Sequence, residues 1–201
     1  MTQKSYTMPS EQYFKEHPLE EMSTGMMLYT SATMPEMREY AIQTSDAIAQ
    51  DGYLMPDNSA YIENLKSDTD LKKLLRMMRN FIPLEATTLM MDKLNAREEE
   101  VLPEIERILL KAFNPSTIEN CTLFLAQCPS DCSHWIRENY HQVKDAYARS
   151  RLCVVLGLKG GLQDVPFFME QVEYFRTRYP ETDYEQAPLV ALYHLKKENE
   201  K

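Results

Sequence analysis

The sequence predicts an all-α protein, and three observations carry that expectation. From Leu71 onward, apolar residues recur at helical spacing almost without interruption. No segment alternates apolar and polar residues as a half-buried strand does, and five Gly are too few for a turn-rich β-protein of 201 residues. A stretch near residue 101 also returns near residue 165. Val101-Leu102-Pro103-Glu104-Ile105-Glu106-Arg107-Ile108 matches Val165 to Val172 when Leu102-Pro103 is laid on Val165-Pro166. The offset of 63 residues is close to two periods of about 32, the length of a short helical hairpin. The expected architecture is an α-solenoid of about four antiparallel helical hairpins, with an N-terminal helical or irregular cap.

The elements follow in chain order. Residues 1 to about 34 give no clear reading, because Pro9, Pro18 and the Ser23-Thr24-Gly25 cluster interrupt any long helix. A helix is predicted from Pro35 to Gln50, with Met37, Tyr40, Ala41, Thr44 and Ile48 near helical spacing and Asp51-Gly52 as its stop. Residues 51 to 70 read as a connection with a short helix near Ala60 to Leu65. Eight helices follow. Asp70 opens the first, with Leu71, Leu74, Leu75 and Met78 on one face and Lys72, Lys73, Arg76 and Arg79 over much of the rest. Pro83 starts the second. The third starts near Ala96 and carries the stripe Val101, Ile105, Ile108, Leu109 and Ala112. Asn114-Pro115-Ser116 ends it and supplies an N-cap for the fourth, with Glu119 three positions on as a capping box. The rest lie at about 132 to 145, 147 to 159, 164 to 178 and 183 to 197, and Asp164 is placed to cap the seventh.

Charge divides the chain. Residues 1 to 70 hold 4 basic and 12 acidic residues, while the remainder holds 18 and 19. We therefore expect an acidic N-terminal segment over 1–70 and a solenoid over 71–201. The net charge of −9 argues against nonspecific nucleic-acid binding, which relies on basic surface. No apolar run approaches the roughly 18 residues of a membrane span, and no signal-peptide core is visible near the start. Four Cys are sparse for a disulfide scaffold, so a reducing cytoplasm is the expected compartment.

The helix from Tyr147 to Lys159 ends in Val155-Leu156-Gly157, and Arg149 lies eight residues before that Gly. Second helices end comparably in Leu125-Ala126 and Leu192-Tyr193, although Ile118 and Glu185 stand where the other copies would carry Arg. On these residues and the Val-Pro and Leu-Pro helix starts, residues 71 to 197 resemble the HEAT-repeat family in its short bacterial form. The resemblance implies stacked hairpins, a surface formed by the second helices, and binding rather than chemistry.

Three clusters invite a chemical reading. Cys128-x3-Cys132-x-His134, with Cys121 and His141 nearby in sequence, looks partly metal-like, but its spacing is not a zinc pattern and buried thiols beside a turn explain it. Glu98-Glu99-Glu100 with Glu104 and Glu106 reads as the acidic first turn of a helix rather than a catalytic pair. Trp135, Tyr140, Tyr147, Arg137, Lys144, Arg149 and Arg151 mix rings and cations. Of these, Trp135 and Arg149 are assigned to packing, and Lys144, Tyr147 and Arg151 to a partner-binding surface. No catalytic residue, metal ligand or cofactor is assigned.

The resulting expectation is a non-catalytic protein-interaction module with an unidentified protein partner. The alternatives are an enzyme acting on a small molecule or nucleotide in the solenoid groove, and a nucleic-acid binder like the HEAT-fold DNA glycosylases, which charge disfavours. A further expectation is that the helix at 35 to 50 caps the first repeat helix through Met37, Tyr40, Ala41 and Ile48.

Overall fold

The computed structural model describes residues 24–34 and 57–200, and the predicted helix at 35 to 50 lies outside them. Ten α-helices and no strand are present among the described residues. They are α1 (Thr24–Thr33), α2 (Ser59–Ser67), α3 (Leu71–Met77), α4 (Leu84–Asn95), α5 (Glu98–Leu109), α6 (Pro115–Gln127), α7 (Ser133–Asn139), α8 (Ala146–Lys159), α9 (Val165–Arg178) and α10 (Gln186–Asn199). All eight helices expected after Asp70 form. None of the described helices is long and apolar enough to cross a membrane.

Local chemistry explains most of the boundaries. Asp70, Asn114 and Asp145 have extended backbones, and their side chains accept from Lys72 N, Thr117 N and Ala148 N. The expected Asn114-Pro115-Ser116 cap of α6 forms at Asn114, followed by Pro115, and Glu119 does not close a capping box. Pro115 lacks the N–H that a first-turn residue would leave orphaned, so it fits directly after the cap. Helix α7 is shorter than expected. It passes into a 3-10 turn at Tyr140–Gln142 because Asp145 must be extended to cap α8. Pro103 sits inside α5, whereas Pro166 lies in the first turn of α9, so the two matching stretches occupy different places in their helices.

Burial follows the sequence pattern. Val101, Ile105 and Leu109 of α5 are wholly buried, as are Ile118, Phe124 and Leu125 of α6 and Leu152 and Val155 of α8. Helices α4, α6, α8 and α10 form a row in which each packs on the next. Of the flanking helices, α2, α7 and α9 pack on α4, α8 and α10 respectively, and α5 packs on both α4 and α6. Small residues set the closest approach. A Cβ on Gly157 of α8 would lie 2.5 Å from the Cβ of Ala191 in α10, so these helices meet almost backbone to backbone.

Helix α1, which the sequence did not announce, lies against α6, α8 and α10. Leu28 and Tyr29 are buried there, and Gly25 meets the backbone of Ala187 in α10. Gln127 Nε2 donates to the carbonyl of Ser31 at 3.1 Å, and Tyr29 Oη lies 3.3 Å from His194 Nδ1. Thr24 and Gly25 look like breakers in sequence, but the lack of bulk at Gly25 is what permits this crossing.

Candidate functional site

The first turns of α8 bring the three proposed surface residues to one edge of the row, with three different outcomes. Lys144 precedes the Asp145 cap and is exposed. Tyr147 is half-buried and its hydroxyl donates to Glu119 Oε1 of α6 at 2.8 Å. Arg151 follows Tyr147 by four residues and so shares its face. Its guanidinium carbon lies 5.7 Å from the Tyr147 ring centroid. Arg151 is buried, however, at 5% exposure, and so stands beneath the surface rather than on it. Its Nε makes a long 3.4 Å contact to Thr122 Oγ1.

Electrostatics explains how a cation sits there. Burial lowers the Arg151 pKa, opposed by the field of Tyr147, Glu119 and Asp183. Burial likewise raises the Tyr147 phenol, with Arg151 acting against it. Arg151 thus holds the Tyr147 ring through its π face, and Glu119 holds the hydroxyl. Glu119 is the residue that sequence reading placed in a capping box; its carboxylate is spent across helices instead.

More aromatic side chains continue the edge. The Tyr184 ring lies 5.9 Å from Tyr147 and 5.8 Å from Tyr179, and Tyr179 lies 6.0 Å from Tyr174. All four tyrosines are half-buried. Arg149 donates from Nη2 to Tyr174 Oη at 2.9 Å and sits 5.1 Å from that ring centroid. Burial acts to raise the Tyr174 pKa, but hydrogen bonds from Tyr179 and Arg149 and the charges of Arg149 and Arg178 bring it below the ordinary phenol value. Arg149 therefore joins α8 to α9, in keeping with a packing role. No local signal marks Tyr174, Tyr179 and Tyr184 as members of this edge, because they lie 25 to 37 residues from Arg149 and Tyr147.

The other clusters resolve separately. Cys128 and Cys132 are buried at the turn between α6 and α7, and both thiols point to the Leu125 carbonyl, at 3.3 and 3.8 Å. Burial pushes the Cys121 and Cys153 thiols up to about 12. His134 is exposed and faces Glu138 at 3.2 Å. No group of three or more His, Cys, Asp or Glu side chains suited to a metal occurs among the described residues. The acidic run disperses: Glu98 accepts from Ser130 N, Glu100 pairs with Arg97, and Glu104 pairs with Arg107.

Asp164 departs from its expected role. Its carboxylate receives two hydrogen bonds from Arg137, at 2.7 and 2.8 Å, and one from Gly161 N at 2.9 Å. It makes no side-chain cap to α9. Arg137 lies 27 residues earlier and offers a charged, two-pronged partner, which a carboxylate prefers to a single backbone N–H. Neither a family model, nor a curated protein, nor a solved structure matches this chain.

Proposed function

We propose that this protein is a non-catalytic protein-interaction module, an α-solenoid of HEAT-like hairpins that engages a partner at the edge opened by α8. The supporting observation is the tyrosine and arginine assembly at that edge. Tyr147, Tyr184, Tyr179 and Tyr174 present half-exposed rings held by Arg151 and Arg149, with Lys144, Glu119 and Asp183 around them. Tyr and Arg dominate the energetic centres of protein interfaces because they combine large apolar area with hydrogen-bonding capacity. Pre-set rings lower the ordering cost of association. The pairing of each row helix with a flanking helix supports the solenoid part of the reading.

Affinity capture from the native cell tests this, using the wild-type chain, Lys144→Glu and Tyr184→Ala in parallel. We expect one protein recovered in near-stoichiometric amount by the wild type and depleted at least about tenfold by each variant, a loss of about 1.4 kcal/mol or more. Recovery of no such protein, or undiminished recovery by both variants, would overturn the assignment.

A further inference from the structure

We infer that the groove between α3 and α5 is a second binding surface, for an acidic amphipathic helix of a partner protein; the inference rests on the interaction-module reading. The groove has a volume of about 500 Å³ and is lined by Asp70, Lys72, Leu75, Arg76, Arg79, Glu104, Arg107 and Ile108. Both of its carboxylates are engaged. Asp70 caps α3 through Lys72 N, and Glu104 receives two hydrogen bonds from Arg107. Lys72, Arg76 and Arg79 are exposed and form no ion pair among the described residues. Among the described residues, three cations thus stand together without an acidic partner.

Their placement points to the ligand. Lys72 and Arg76 are four residues apart on α3 and share a face, and Arg79 in the turn after it lines the same groove. A partner helix with carboxylates along one face meets all three. Beneath them, half-buried Leu75 and Ile108 form an apolar floor for a stripe of leucine-like side chains.

Two exposed phenylalanines lie close in sequence to groove residues. Phe81 is two residues beyond Arg79 and 74% exposed, while Phe113 is five beyond Ile108 and 62% exposed. Contacts to α6 hold the segment that precedes Phe81. Thr117 donates to the carbonyl of Arg79, and Asn120 donates to those of Met78 and Asn80. A groove lined by both cations and apolar side chains favours a peptide carrying both acidic and apolar groups. Nucleic acid fits less well, because it needs a longer basic track than three cations.

Fluorescence anisotropy on the full-length protein tests the assignment. The probe is a labelled helical peptide of about sixteen residues, glutamate on one face and leucine on the other, a length of roughly 24 Å. Its lysine-faced counterpart and a single-stranded oligonucleotide serve as comparisons. We expect saturable binding of the acidic peptide, weakened at least about tenfold by R76E/R79E, and also by R76Q/R79Q and by F81A/F113A. Salt should weaken it, as screening shortens the reach of exposed charges. Lys144→Glu should leave it unchanged. Circular dichroism melting confirms that each variant is folded. Failure to saturate, equal binding by R76E/R79E, or equal binding of the lysine-faced peptide would overturn the inference. So would tighter binding of the oligonucleotide with the same variant dependence. If the peptide fails while partner capture remains sensitive to Lys144→Glu, the α3–α5 surface falls and the α8 edge stands.

Discussion

Gly157 shows how one residue sets a helix spacing. Gly inside a helix costs about 1 kcal/mol relative to Ala, so Gly→Ala there is ordinarily stabilising. Here the added carbon would lie 2.7 Å from the Cα of Ala191 and 2.5 Å from its Cβ, forcing α8 and α10 apart. We expect Gly157→Ala to destabilise by about 1–3 kcal/mol in chemical denaturation, because overpacking outweighs the propensity gain. A stabilised variant would refute the close-approach argument. Asp164 carries a second residue-scale prediction. Burial acts to raise its pKa, but hydrogen bonds from Arg137 and Gly161 and the Arg137 charge bring it below the ordinary carboxylate value. A depressed folded-state pKa contributes stability that is present above the unfolded value of about 3.9. That stability is lost as pH falls through the folded value. Asp164→Asn should therefore cost about 1–3 kcal/mol near neutral pH, leaving Arg137 without its carboxylate. The gap to wild type should close progressively below about pH 4, read from denaturation midpoints across pH. A gap that is constant down to about pH 2 would show that the charge does not matter.

At the scale of elements, α1 is the least anticipated feature. It spans three members of the helix row and buries Leu28 at 1% exposure and Tyr29 at 2%. The cap expected between Pro35 and Gln50 lies outside the described residues, while α1 meets α6, α8 and α10, with Leu28, Tyr29 and Gly25 at the contact. Its cues were present but ambiguous: Met26, Leu28 and Tyr29 lie beside Thr24 and Gly25, which also suit a turn. Leu28→Ala should lower stability by about 2–5 kcal/mol, the usual cost of a buried leucine truncation. Deleting residues 1–34 should lower the melting temperature further and bind a hydrophobic dye at the uncovered face. A deletion that melts like the wild type and binds no dye would mean that α1 contributes nothing to the fold.

Across the whole molecule, contacts between successive row helices bear on cooperativity. A row in which each helix packs on the next couples mainly neighbour to neighbour. Helix α1 touches three row helices at once, so it ties α6, α8 and α10 into one unit. Trp135, the sole tryptophan, lies half-buried on α7 and reports on that unit. Tryptophan fluorescence and far-ultraviolet circular dichroism should trace coincident urea transitions in the wild type, and separated ones once residues 1–34 are removed. Separated transitions in the wild type, or coincidence after the deletion, would contradict the tying role.

The sequence by itself determined the all-helical class, the eight helices after Asp70 and the buried stripe of α5, because periodicity, caps and turn residues act within a few positions of one another. Tertiary structure alone decided the fate of the charged and aromatic residues. Arg151 and Lys144 look alike in a sequence row. Only the approach of Thr122 and Glu119 from α6, with Tyr147 alongside on α8, buries the first, while the second stays exposed. Asp164 could have capped α9, but Arg137 reaches it from α7 and makes the stronger bond. Such choices depend on which helices meet and how closely, a consequence of small residues such as Gly25 and Gly157 whose contacts lie 34 or more positions away.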